Sequence, residues 1–148
     1  MRTAMQSRRR VFWSVSLLLA MLLAGCAGFF PRSQTQESRL EHVTTATFES
    51  RVLKCEKPVL VDFYAEWCGP CKKLGPVLED FAQEHPDVRV VKVDVDENSD
   101  LVSRYGVNGM PTLLLFRGGQ VTSQSVGLVP KERLIEMTME KPNGSPML

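Results

Sequence analysis

Cys68 and Cys71, two cysteines separated by two residues, are the side chains in this sequence best suited to chemistry. They directly follow the apolar run Val59-Leu60-Val61-Asp62-Phe63-Tyr64-Ala65 and open a segment with helical spacing. A helix amino terminus presents unpaired N–H groups and about half a unit of positive charge. Cys68 is therefore expected to ionise at neutral pH and to attack disulfides. Cys71, one turn further on, is in reach of the Cys68 sulfur and can displace a bound partner by closing a small ring. Gly69 is expected to permit a tight turn. Pro70 suits a first helical turn, where its missing donor costs nothing. Zinc would need two more ligands, and Cys55, His42 and His85 lack the paired spacing of a metal site. A purely structural disulfide would close too short a loop to constrain the unfolded chain. No metal and no cofactor is expected.

One acid, Asp62, interrupts the apolar run. If it is buried and unpaired it is costly; the alternative is an edge strand with Asp62 turned to water. Lys92, in a later strand candidate, has solvent as its ordinary partner.

The surrounding pattern alternates. Leu40 to Val43 is a short strand candidate, and Thr44 or Thr45 caps a helix to about Lys54 with Phe48 and Val52 on one face. The run from Val59 to Ala65 has the composition of a strand buried on both sides. Cys71 to His85 places Leu74, Val77, Leu78 and Phe81 on one helical stripe, with a kink expected at Pro76. Val88 to Val95 alternates as a strand, and Ser99 to Tyr105 is a short helix. Thr112 to Phe116 and Gln120 to Ser125 form a hairpin around Arg117-Gly118-Gly119. Pro130 starts a last helix through Met139. The order βαβαβαββα predicts an α/β fold, with a mixed central β-sheet flanked by helices on both faces.

The chain has 148 residues, which suits one domain. Of its 18 Lys+Arg, four (Arg2, Arg8, Arg9, Arg10) lie in the first 25 residues, leaving 14 against 17 Asp+Glu in the remainder. That mildly acidic body predicts no nucleic-acid partner. The basic start, the apolar stretch Val11 to Leu23 and Leu23-Ala24-Gly25-Cys26 predict a secretory signal. The last four residues resemble the lipobox of bacterial lipoproteins, which implies a lipid on Cys26. The expected organisation is a signal peptide at 1–25, a lipidated cysteine and tether at 26–38, a folded domain at 39–140 and a disordered tail at 141–148. The expected location is the cell envelope, with the chain lipid-anchored and outside the cytoplasm. Ala27 leans this toward the outer rather than the inner membrane, and Arg9-Arg10 loosely matches a twin-arginine signal.

The segment Val61-Asp62-Phe63-Tyr64-Ala65-Glu66-Trp67-Cys68-Gly69-Pro70-Cys71-Lys72 resembles the active-site segment of thioredoxins. So does Tyr105-Gly106-Val107-Asn108-Gly109-Met110-Pro111-Thr112-Leu113-Leu114-Leu115-Phe116, and the likeness runs from about Leu40 to Met139. The resemblance implies the thioredoxin fold, with Cys68 as attacking thiol, Cys71 as resolving thiol and a redox disulfide between them. It implies a cis Met110-Pro111 peptide facing the sulfurs. It places Asp62 in the interior behind Cys71 as the group that exchanges the resolving thiol's proton, with Lys92 beside it. Trp67, Gly69, Pro70, Gly109, Met110, Pro111 and Gly127 form the implied substrate contacts. Tyr64 stands where many thioredoxins carry a second tryptophan, and Met110 where Ile, Val or Thr is commoner.

The resulting expectation is a monomeric reductase of disulfide-containing envelope proteins, recharged by a membrane electron donor. The alternatives are a disulfide oxidant or isomerase, and a binding module without turnover. Cys55 is expected to be a small apolar filler, and His42 and His85 surface or loop residues.

Overall fold

Parallel and antiparallel strands combine in one sheet. A computed structural model describes residues 40–140. The expected signal peptide, the tether with Cys26 and the tail lie outside the described residues. The strands are β1 (Glu41–His42), β2 (Val59–Tyr64), β3 (Arg89–Asp94), β4 (Thr112–Arg117) and β5 (Gln120–Val126). Their order is β1-β3-β2-β4-β5. β1 and β2 each run parallel to β3, while β4 is antiparallel to both β2 and β5.

β2 is thus an inner strand, and all six of its residues are buried. This matches its nearly unbroken apolar composition, and it removes the option that Asp62 points to water from an edge. Alternation along the strands divides the interior into two layers. Leu60, Val90, Leu113 and Leu115 pack on one side with Leu74, Leu78 and Phe81 of α2 (Gly69–Glu84) and Leu134 and Met137 of α4 (Lys131–Met139). Val59, Val61, Phe63, Val91, Val93, Leu114 and Phe116 pack on the other with Phe48 and Val52 of the first helix and Leu101 of α3 (Ser99–Arg104). Each such fully buried Leu, Val or Phe contributes roughly 1.5–3 kcal/mol of transfer free energy. Helices therefore cover both faces, as the alternating pattern predicts.

The first helix differs from expectation. Thr44 caps it, with its backbone N–H donating to Thr47 Oγ1 at 3.0 Å. Only Thr45–Phe48 (α1) is α-helical; Glu49–Leu53 continues as a π-helical turn, closed by the Lys54 N–H donating to the Glu49 carbonyl at 2.9 Å. Over so short a stretch Phe48 and Val52 fall on one buried side in either winding. α2 starts two residues earlier than predicted and runs through Pro76 without a break. Pro130 caps α4 from outside rather than occupying its first turn.

Candidate active site

α2 begins where β2 ends, separated by Ala65, Glu66, Trp67 and Cys68. Cys68 is the N-cap residue, in extended conformation at φ −80° and ψ 107°. Its Sγ accepts the backbone N–H of Cys71 at 3.2 Å, a contact that an N-cap oxygen makes in an ordinary helix. The two cysteines are joined as a disulfide, with Cα atoms 5.3 Å apart. Gly69 does not meet the expectation of a glycine needed for a turn. Its φ is not positive, and a Cβ built there would meet nothing within 4 Å.

Both cysteines form one buried cluster with Tyr64 and Ala65, with Val95 and Met110 packed against it. The Met110–Pro111 peptide is cis. The loop that carries it is tied at two points. The Gly127 N–H donates to the Pro111 carbonyl at 2.7 Å, and the Thr112 hydroxyl donates to the Gly109 carbonyl at 2.7 Å. Gly127 has φ +90°, which a side chain rarely adopts. At Gly109 a Cβ would come within 3.3 Å of Val126 Cγ1. Around this loop Val126 and Leu128 are largely exposed, and Trp67 is 67% exposed next to Cys68 in sequence. The Trp67 indole N–H donates to Asp96 Oδ2 at 2.8 Å, a partner that sequence reading missed.

Asp62 has no exposure at all, and neither carboxyl oxygen has a hydrogen-bond partner. It shares the face of β2 with Leu60, the side covered by the helix that bears Cys71. Burial pushes its carboxyl up to about 7, and the Lys92 ammonium opposes that rise. Lys92 is its register partner on β3. The Lys92 Nζ lies 3.8 Å from the centroid of the Tyr64 ring, so this lysine is not simply solvated. The Tyr64 Oη is 3.2 Å from Nδ1 of His42, a hydrogen bond whose direction follows the imidazole tautomer. Tyr64 is therefore more than a packing change, and His42, exposed as expected, has a defined partner. Nothing in the local sequence signals either contact, because the residues come from three strands.

The other candidates stay apart from this group. Cys55 is half-buried against the opposite layer, with Val59 and Phe116 among its neighbours in that cluster. His85 ends α2 with its ring stacked on Phe81, centroids 4.5 Å apart. Among the described residues no cluster of three or more His, Cys, Asp or Glu could hold a metal ion.

The thioredoxin family model matches residues 39–140. Thioredoxin 1 of Nostoc sp. strain PCC 7120 is 47% identical over 105 residues, covering 70% of this chain and 97% of that protein. The thioredoxin of Pseudomonas aeruginosa is 49% identical over 94 residues, covering 63% and 87%. That of Alicyclobacillus acidocaldarius is 50% identical over 93 residues, covering 62% and 88%.

These relatives correct the placement expected from the amino terminus. They are named plainly as thioredoxins, and they do not support a lipid-anchored protein of the cell envelope on either membrane. A lipid on Cys26, a membrane electron donor and a restriction to envelope substrates are not shown by these relatives. No helix among the described residues is long and apolar enough to cross a membrane. The signals for that placement lie in residues 1–38, whereas the match to these relatives rests on the domain at residues 39–140.

Proposed function

This chain belongs to the thioredoxin family, and on that premise we propose that it reduces protein disulfides by a two-step exchange in which Cys68 attacks and Cys71 resolves. Thiol–disulfide oxidoreductase chemistry and disulfide reductase activity are what the family and the Cys68–Cys71 pair carry. The Cys68 thiolate attacks one sulfur of the substrate disulfide. That S–S bond breaks, one substrate thiolate leaves, and a mixed disulfide to Cys68 forms. Cys71 then gives its proton to the Asp62 carboxylate and attacks the Cys68 sulfur. The second substrate thiolate leaves, and the Cys68–Cys71 disulfide closes. Two electrons pass from the dithiol to the substrate, whose two thiolates become thiols by taking the proton held on Asp62 and one from water. A dithiol donor of lower potential then restores the pair.

The observation that carries this reading is the Cys68 sulfur at the N-cap of α2, accepting the Cys71 N–H at 3.2 Å. A donor aimed at that sulfur, together with the helix dipole, favours the thiolate over the thiol. Asp62 suits the proton step because its carboxyl, held near 7, can be emptied and refilled at neutral pH. Lys92 supplies the opposing charge that keeps the value from rising further. Trp67, Gly69, Pro70, Gly109, Met110, Pro111 and Gly127 border the surface on which an extended substrate segment is held. The open space beside Gly69 and the tied loop around Pro111 suit a backbone partner with little side-chain preference. One chain provides the whole site, which fits a monomer.

The test is trapping. The Cys71→Ser variant should accumulate mixed disulfides through Cys68, and Cys68→Ser should accumulate none. Absence of trapped proteins with Cys71→Ser, or in-cell function that survives Cys68→Ser, points to a binding module instead. Equilibration with glutathione decides direction: a potential above about −180 mV assigns the oxidant or isomerase role.

A further inference from the structure

The register of three parallel strands sets His42, Lys92 and Asp62 in one row on one face of the sheet. Tyr64 rises from the same face of β2, two residues beyond Asp62. Lys92 has two places to put its ammonium. One is beside the Asp62 carboxyl, its neighbour in the row; the other is over the Tyr64 ring. The structure puts Nζ 3.8 Å from the ring centroid and leaves both Asp62 oxygens without a hydrogen-bond partner. The ring itself is held firmly. It is 5% exposed, belongs to the buried cluster that holds both cysteines, and stands edge-on to His42 with centroids 5.7 Å apart and its Oη 3.2 Å from Nδ1. A cation over a ring sheltered from water is attracted by the ring quadrupole more strongly than at an exposed site.

We propose that Tyr64 is a positioning residue: its ring, tied to the sheet edge through His42, holds the Lys92 ammonium away from the Asp62 carboxyl and so governs how readily that carboxyl exchanges its proton. The consequence for the reaction rests on the reading of Asp62 as acceptor of the Cys71 proton; the clamp itself does not. The charged groups facing the cluster are limited. Lys92 from β3 acts on Asp62, whose β4 neighbour is the apolar Leu113. Burial, Asp94 of β3, Glu66 after β2, Glu97 beyond β3 and Asp62 itself push the Tyr64 phenol up to about 12. α2 presents Leu74, Leu78 and Cys71, the last silent while it is in the disulfide.

The experiment titrates the Asp62 carboxyl carbon by NMR in the oxidised full chain, comparing wild type with Tyr64→Phe, Tyr64→Leu, Lys92→Met and the double variant Tyr64→Leu/Lys92→Met. Tyr64→Phe keeps the ring and should keep the wild-type midpoint. Tyr64→Leu frees the ammonium to approach the carboxyl and should lower the midpoint by about one pH unit, the lower end of what an opposite charge a few ångströms away produces. In the Lys92→Met background the leucine should bring no fall. An unchanged midpoint in Tyr64→Leu, or an equal fall without Lys92, overturns the proposal. Should Tyr64→Leu fail to fold, the Lys92 ε-methylene protons of the wild type decide: an upfield ring-current displacement supports the clamp, and ordinary lysine positions overturn it. The pH profile of the resolving step in the same variants separates the two readings. A carboxyl midpoint that moves while the rate profile stays fixed removes Asp62 as acceptor and leaves the clamp standing.

Discussion

The sulfur of Cys68 accepts the main-chain N–H of Cys71, 3.2 Å away, from the capping position of α2. The contact couples the two cysteines through the helix end, in addition to their covalent bond. An N–H aimed at Cys68 from the helix end is expected to stabilise negative charge on that sulfur once the disulfide is reduced.

Alkylation should reveal this. In the reduced chain, iodoacetamide should modify Cys68 at a rate that has already levelled off at neutral pH, followed by peptide mass mapping. A rate that climbs only around pH 8.5, where an ordinary thiol ionises, contradicts the arrangement.

Asp62 makes stability depend on pH in an unusual sense for an acid. Its ordinary value is 3.8 and the folded value is about 7. Below the lower value both states hold the proton and the carboxyl costs nothing. As pH rises between the two, the unfolded chain releases its proton first, so stability falls and then levels off above about 7. At 1.36 kcal/mol per unit the full effect is on the order of 4 kcal/mol. Asp62→Ala should therefore raise urea stability at pH 8 by about 2–4 kcal/mol, with part of the gain lost to the small cavity. It should change little at pH 4. A variant less stable than wild type at pH 8 contradicts the burial argument.

The same carboxyl should shape the reaction. Reduction of a protein disulfide limited by the resolving step should speed up with pH through about 7 in the wild type. In Asp62→Ala that rise should vanish and the rate at neutral pH should drop by about 10²-fold, the low end for a positioned proton acceptor. Stopped-flow measurement of mixed-disulfide decay across pH 5–9 checks it.

Trp67 offers a contrast between binding and stability. It is 67% exposed and makes its polar contact with Asp96 at the surface. Trp67→Ala should leave the melting temperature nearly unchanged and raise KM for a protein substrate severalfold with kcat little altered. A large loss of stability with an unchanged KM would assign the ring to packing.

Gly127→Ala tests the tied loop. At φ +90° a side chain is strained, so the substitution should cost about 1–2 kcal/mol in urea denaturation. Because its N–H holds the Pro111 carbonyl, it should also slow attack on protein disulfides more than on small disulfides.

Much of the scaffold could be read from the chain because the signals are local. A continuous apolar run marks β2, a stripe of Leu74, Leu78 and Phe81 marks α2, and Gly118-Gly119 marks the β4–β5 turn, where both glycines have positive φ. The π-helical turn at Glu49–Leu53 could not be read, since one turn is too short for a period of 3.6 to be told from a wider one. Position alone suggests turn geometry for Gly69, but its φ is not positive and the local sequence carries no signal of that. The amino-terminal residues carried a consistent address signal, yet that signal has no bearing on how residues 40–140 pack, and the relatives did not support it.

By its own order the chain determines the dithiol: two cysteines, a proline between them, a buried strand before and a helix after suffice to set a sulfur at a helix end, since every contact involved lies within a few residues. What surrounds that sulfur was decided by tertiary structure. Asp62, Lys92 and His42 lie in three separate strands, and Pro111 and Gly127 in two loops far along the chain. Their meeting depends on strand order and on a register set by burial of both faces of β2. A shift of one residue in β3 would turn Lys92 to the opposite layer and leave Asp62 and Tyr64 without it.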